Sequence, residues 1–177
     1  MKIAAIIPAA GQGRRLKTRG PKALVPVLGQ PLLVYTLRGL KKSFHFHEMI
    51  VVAPTNRVEN FKNILRRHSL GGVRVIRGGP TRAESVRNGV RSVSEIVHWV
   101  LVHDAARPLV DKRLVRRLIR SAKKTGAATL AIPVTSTVKR VNANHKNIVR
   151  TEDRDSLVLT QTPQVFKKDP LMKRYEI

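Results

Sequence analysis

The sequence predicts an α/β fold: a Rossmann-like, mostly parallel sheet with helices on both faces and a protruding β-hairpin arm. Three observations predict it. Short runs rich in Ile and Val, at 3–7, 49–53, 73–76, 97–102 and 127–133, alternate with stretches of helical character at 31–42, 56–68, 82–93 and 112–124. The strand-like runs are apolar throughout or but for a single residue (Arg74, His98, Thr129), the pattern of strands covered on both faces. After Val134 the alternation stops, and two extended segments, 137–141 and 148–154, flank the polar, turn-rich stretch 142–147.

Each element follows from its residues. Met1 and Lys2 ahead of an apolar run superficially suggest a leader peptide, but Pro8, Gly11 and Gly13 turn that run into a buried strand and its exit loop. Leu114, Val115, Leu118 and Ile119 recur at helical spacing between cations, the pattern of a helix with a solvated basic face. The hairpin is marginal alone and is expected to pack on a partner subunit. Residues 169–175 open a final helix. With 177 residues, one domain over 1–177 is the default, carrying a dimerisation arm at about 137–154. No Cys is present, which excludes a disulfide scaffold, a cysteine zinc site and a thiolate nucleophile. No apolar run approaches the roughly 18 residues of a membrane span. A cytoplasmic protein without a membrane partner is the expectation.

The formal net charge is +24, from 35 Lys and Arg against 11 Asp and Glu. Such a surplus attracts polyanions, so salt-sensitive, sequence-independent adhesion to DNA or RNA is expected. No specific nucleic acid is expected as a partner, because seven aromatic residues leave little for base stacking. One basic cluster, from Arg14 through Arg15, Lys17 and Arg19 to Lys22, occupies a Gly/Pro-rich loop, where structure alone does not call for so many cations.

The candidate chemistry lies where strands end. The first strand runs into Pro8, Ala9, Ala10, Gly11, Gln12 and Gly13, followed by Arg14 and Arg15. Small residues and glycines let backbone N–H groups approach an anion closely. The third glycine of the dinucleotide fingerprint is replaced by Leu16, and no Gly-Lys-Ser/Thr follows, so neither that motif nor a Walker A loop is present. Fixed cations beside a backbone nest suit a triphosphate. Gly78, Gly79, Pro80, Thr81, Arg82, Ala83, Glu84 and Ser85 follow the third strand. They suit either a base or sugar approaching the backbone or a plain loop capped by Thr81 or Glu84. His103, Asp104, Ala105, Ala106, Arg107 and Pro108 end the fourth strand, the usual place for a site facing the sheet crevice. Asp104 could accept from hydroxyls or orient a metal-bound water, and Arg107 could pair with a phosphate; an Asp104–Arg107 structural pair is the alternative. His45, His47 and Glu48 have only loose metal-ligand spacing, and no protein metal site is expected.

Together, 8–15 with Pro21 and Lys22, 78–86, 103–108, 133–140 and 159–166 resemble the 2-C-methyl-D-erythritol 4-phosphate cytidylyltransferase family. The match runs in order over nearly the whole chain, and His-Asp-Ala-Ala-Arg-Pro followed by Ser-Thr-Val-Lys-Arg and Thr-Pro-Gln is its most specific part. The resemblance implies transfer of CMP from CTP to methylerythritol 4-phosphate, releasing pyrophosphate, with Mg2+ held mainly by the nucleotide phosphates. It implies catalytic roles for Arg15 and Lys22, and a triphosphate cradle from Ala9, Ala10, Gly11, Gly13 and Arg14. It places Gly79, Ser85 and Ala105 by the cytidine, with Arg82 supporting that loop. It assigns the sugar phosphate to Asp104, Arg107, Thr137, Arg154 and Thr162, and a homodimer to the arm. Two departures accompany it. Pro80 stands where the family usually has an acidic residue. Family chains also continue past the position of Ile177 into a segment bearing a further substrate-positioning Lys, so CTP binding with slow transfer is expected, unless Lys167, Lys168 or Lys173 substitutes. The competing expectations are a nucleotide- or nucleic-acid-binding domain without turnover, and a cytidylyltransferase for another polyol phosphate such as ribitol 5-phosphate.

Overall fold

Apolar side chains on both faces of one sheet organise the chain. The computed structural model describes residues 1–11 and 20–175. In chain order the elements are β1 (Ile3–Pro8), β2 (Pro26–Val27), β3 (Gln30–Pro31), α1 (Leu32–Ser43), β4 (Glu48–Ala53), α2 (Val58–Arg67), β5 (Arg74–Arg77), α3 (Arg82–Arg91), β6 (Trp99–Val102), α4 (Lys112–Thr125), β7 (Ala127–Pro133), β8 (Val138–Val141), β9 (Ile148–Glu152), β10 (Val158–Lys167) and α5 (Lys168–Tyr175). The main sheet has six strands in the order β5-β4-β1-β6-β10-β7. β5, β4, β1 and β6 are parallel, whereas β10 runs antiparallel to both β6 and β7.

The two faces differ in cover. Ile3, Ala5 and Ile7 of β1 point into a core closed by α1, α2 and α4, through Leu33, Leu37, Phe61, Leu65, Val115 and Leu118. Ala4 and Ile6 point the other way, onto Val86 and Val90 of α3, with Leu171 and Met172 of α5 beside them. Alternation along a strand puts successive side chains on opposite faces, which is why β1 is apolar without interruption. Each fully buried Val, Leu or Ile contributes about 1.5–3 kcal/mol of transfer free energy. α4 is bounded by its own chemistry: the Asp111 carboxylate accepts from the amides of Arg113 (2.6 Å) and Leu114 (3.0 Å), and Gly126 ends the helix at φ 84°.

The α/β architecture and the hairpin arm match the sequence expectation, and boundaries move by at most two residues. The strand expected at 97–102 is shorter, β6, because Val97 closes a turn onto Ser94. β10 is an element that apolar patterning did not give. Chain reversal after β5 places β6 on the far side of β1, making the β1/β6 boundary the topological switch point where open α/β sheets bind ligands.

Candidate active site at the carboxyl ends of β1 and β6

Backbone bonds fix the loops that leave the sheet here. The Ala9 amide donates to Val52 O (2.8 Å) and the Gly78 amide to Ala53 O (2.8 Å). The amides of His103 and Ala105 donate to Ile6 O (3.0 Å) and Pro8 O (3.3 Å). The exits of β1, β4, β5 and β6 are thereby drawn together. Gly78 stands where they meet: a Cβ there would lie 2.8 Å from Ser85 Oγ, 3.1 Å from Ala53 O and 3.2 Å from the Ala10 Cβ. A Cβ on Gly79 would fall 2.5 Å from the Glu84 Cβ. Close approach of backbone is thus the reason for the glycine pair.

The start of α3 is a capping box. The Glu84 amide donates to Thr81 Oγ1 (3.1 Å), and the Thr81 amide donates to the Glu84 carboxylate (2.9 Å). The Thr81 hydroxyl and amide together hold the Glu84 carboxyl below the usual carboxylate range. The loop is therefore capped by both residues the sequence offered. Ser85 is buried, and its Oγ accepts from the Gly79 amide (3.1 Å), so its hydroxyl shapes the glycine loop.

Asp104 lies at the centre. Its Oδ1 accepts from Arg82 Nη2 (2.9 Å) and Nε (3.2 Å), and its Oδ2 accepts from Arg107 Nε (3.3 Å). Its amide donates to Thr162 Oγ1 (3.2 Å). The Asp104–Arg107 pair that the sequence offered as an alternative exists, joined by a second arginine from α3. Arg107 Nη1 also donates to Gln161 Oε1. Each guanidinium has five N–H donors, and both side chains are about half exposed (54% and 45%). Donors remain on both for a phosphate or carboxylate.

His103 supports this loop from below. It is 2% exposed, and its Nε2 lies 2.9 Å from Arg107 O, so Nε2 carries the proton and donates. Nδ1 is buried with no hydrogen-bond partner among the described residues. Burial pushes the imidazole pKa down, against smaller upward pulls from the Arg107 carbonyl and Asp104. The ring is a structural strut for the loop through Nε2 alone.

The structure brings Ala9, Ala10, Gly11, Gly79, Arg82, Ser85, Asp104, Ala105, Arg107 and Thr162 around one edge of the sheet. Lys22 joins through its amide, which donates to Gly11 O (3.3 Å), and its side chain is exposed. Gly13, Arg14 and Arg15 lie outside the described residues. Thr137 and Arg154 sit at the root of the arm, where Arg154 Nη1 donates to Thr135 O (3.1 Å). Neither bonds to the Asp104 cluster among the described residues. Sequence reasoning missed Gln161 and Thr36. The Thr36 hydroxyl donates to the buried Ala105 O (2.8 Å) and pins the Asp104 loop to α1. A Thr on the buried face of an apolar helix was the available signal for it; Gln161 had none beyond adjacency to Thr162.

Among the described residues, no group of three His, Asp or Glu side chains is placed to hold a metal ion, and no helix is long and apolar enough to cross a membrane.

Comparison with known proteins gives a consistent family. Residues 3–177 match the family model described as IspD: 2-C-methyl-D-erythritol 4-phosphate cytidylyltransferase. The chain is 41% identical over 177 residues to the 2-C-methyl-D-erythritol 4-phosphate cytidylyltransferase of Frankia casuarinae, covering 99% of this chain and 65% of that relative. It is 38% identical over 173 residues to the bifunctional enzyme IspD/IspF of Desulfotalea psychrophila, covering 98% and 44%. The chain thus spans less than two thirds of the length of either relative. The crystal structure of 4-diphosphocytidyl-2C-methyl-D-erythritol synthase from Anaerococcus prevotii is similar at a TM-score of 0.82 and 29% identity, over 99% of this chain and 75% of that one.

Proposed function

This chain belongs to the 2-C-methyl-D-erythritol 4-phosphate cytidylyltransferase family, and from that premise we propose that it transfers CMP from CTP to 2-C-methyl-D-erythritol 4-phosphate, releasing pyrophosphate. The observation that carries the proposal is Asp104 at the switch point, held between Arg82 on the α3 side and Arg107 on the other. A phosphate oxygen of the acceptor attacks the α-phosphorus of CTP. A P–O bond forms there as the bond to the β-phosphate oxygen breaks, and pyrophosphate leaves with that electron pair. No covalent enzyme intermediate is needed, so the protein's task is positioning and charge stabilisation.

The residue roles follow the loops. Lys22, with Arg14 and Arg15 by family resemblance, neutralises the triphosphate and the charge that develops on the leaving pyrophosphate. Ala9, Ala10, Gly11 and Gly13 offer backbone amides to the phosphates. Gly79, shaped by Ser85, faces the cytidine with Ala105. Arg107 and Thr162, with Thr137 and Arg154 of an arm, take the sugar phosphate. Mg2+ fits as an ion carried in on CTP, because the described residues offer no carboxylate cage and Asp104 is already engaged by two guanidinium groups. When bound, it would screen the phosphate charges during transfer.

A homodimer completes the reading. The arm and the strand that follows it expose Ile148 (66%), Val149 (61%), Val158 (59%) and Leu159 (52%). Exposed apolar side chains on these strands suit cover by a second subunit. CTP and polyol phosphates are charged metabolites, which favours the cytoplasm as the place of action. The test is pyrophosphate release from CTP and Mg2+ with a panel of polyol phosphates. Methylerythritol phosphate should be preferred over ribitol 5-phosphate by at least about tenfold. Preference for another polyol would overturn the acceptor, and CTP binding without release on any acceptor would favour a non-catalytic domain.

A further inference from the structure

The structure shows where much of the +24 charge sits. α1, α2 and α4 lie on one side of the sheet, sharing one apolar core. They form a continuous layer: Arg38 on α1 reaches His68 O just past α2, at 3.5 Å. Between Lys112 and Lys124, α4 carries seven Lys and Arg and no acid. α1 adds Arg38, Lys41 and Lys42, all exposed, and no acid. The only acid on α2, Glu59, is paired with Lys62. Among the described residues, no carboxylate lies within ion-pair distance of any α4 cation.

The spacing on α4 is what gives the face its direction. Arg113, Arg117, Arg120 and Lys124 follow one another at offsets of four, three and four residues, a stripe along one side of the helix. At 1.5 Å per residue that stripe runs for about 16 Å. A nucleic-acid duplex presents one charge per ~1.7 Å of its axis, so the stripe can lie against several phosphates at once. The features that would suit other polyanions are absent from α4. Of its apolar residues, Val115, Leu118, Ile119 and Ala122 are buried against the sheet and Leu114 alone is exposed (44%), whereas a membrane-surface helix needs a whole apolar face for lipid. It has no aromatic residue on which an unpaired base could stack.

We infer that the outer face of α4, extended by α1, is a docking surface for the sugar-phosphate backbone of a duplex nucleic acid, separate from the nucleotide site and indifferent to sequence. The helix buries most of its apolar side within the domain and presents mainly charge outward, with Leu114 exposed at the margin, so contact is by guanidinium and ammonium groups on phosphates. No base edge is read.

The experiment is fluorescence anisotropy of the full chain with a labelled duplex of about 20 base pairs and arbitrary sequence, across a salt series, where four or more phosphate contacts give a slope of log K against log salt of about −3.6 or steeper. Two charge-matched variants locate the contact. Arg117→Glu with Arg120→Glu alters the α4 stripe; Arg91→Glu with Arg174→Glu makes the same charge change on the opposite side, where α3 and α5 lie. At low salt the α4 pair should lose about tenfold or more in affinity and the opposite pair less than about threefold. Equal losses would show that net charge alone binds the duplex and would overturn the inference. So would a slope shallower than about −2, displacement of the duplex by saturating CTP, or tighter binding to anionic phospholipid vesicles at equal phosphate concentration. Circular dichroism checks folding. If a reversal pair unfolds, the Gln pairs at the same positions, Arg117→Gln with Arg120→Gln against Arg91→Gln with Arg174→Gln, decide the same comparison.

Discussion

Gly89→Ala tests how tightly α3 must lie on the sheet. A Cβ at Gly89 would stand 2.5 Å from Ile6 Cγ2 and 3.2 Å from Val52 Cγ2. Carbon atoms in favourable contact are about 3.5–4.0 Å apart, so α3 must rise by about 1 Å to admit the methyl group. Neither neighbour can yield: both are fully buried, and the Cγ2 methyl of Ile6 sits on its branched Cβ. Overpacking of this kind costs about 1–3 kcal/mol, while replacing a helical Gly by Ala returns about 1 kcal/mol of propensity. The net expectation is a loss of about 1 kcal/mol, or about 2–4 °C in Tm for a domain of this size. The same displacement moves Arg82 away from Asp104, and a 1 Å misplacement can cost about 10²-fold in rate. Differential scanning calorimetry and pyrophosphate release read the two effects. A Tm equal to or above wild type with unchanged turnover would refute the reasoning, since propensity would then outweigh a crowding that does not exist.

Four further outcomes follow from named groups. Lys22→Ala should reduce turnover by about 10²-fold without changing the thermal midpoint, because the side chain is exposed; steady-state kinetics and a melt separate the two. Asp104→Asn should change stability by less than about 1 kcal/mol, as its ion pairs are half exposed, yet cost about 10²-fold in turnover by releasing both arginines. Burial depresses the His103 pKa, so the unfolded chain takes up a proton near the ordinary value of 6.5 that the folded chain refuses. Stability should therefore fall as pH drops from 7 through 6.5, and denaturant titrations of His103→Gln should lack that part of the slope. Deleting 142–147 with a shortened arm should yield a monomer by light scattering and abolish activity together; a wild-type chain that is monomeric at high concentration would contradict the dimer.

The elements that sequence disclosed are those whose buried side chains come from one local segment. β1 reads as a strand because both of its faces are apolar, and α4 reads as a helix because Val115, Leu118, Ile119 and Ala122 repeat at helical spacing. The Thr81 cap was legible for the same reason, since both partners lie within three residues. β10 was not legible: Thr160, Gln161, Thr162, Pro163 and Gln164 break any apolar run, and the strand is defined by its antiparallel partners β6 and β7. The joint hold on Asp104 was likewise beyond reach. Arg82 is 22 residues away, and only the packing of α3 beside the end of β6 brings the two together. Asp104, Arg107 and the glycine pair could be nominated as site residues; that Asp104 is shared between two arginines is tertiary information.

The pairing of Pro133 with Val158 has an architectural consequence. Those residues are cross-strand neighbours, and everything between them, the whole arm included, is an excursion that leaves the sheet and returns to the same spot. Its two feet are clamped by β7 and β10, so the arm can lengthen, shorten or change its tip without shifting the register of the sheet beneath. The sheet and the tip of the arm are thereby open to independent sequence change: substitutions at the tip need not disturb the register of the six strands, and repacking of the sheet need not alter the tip. A chimera that joins Pro133 to Val158 by a tight turn would be the smallest form of this fold to keep all six strands of the main sheet.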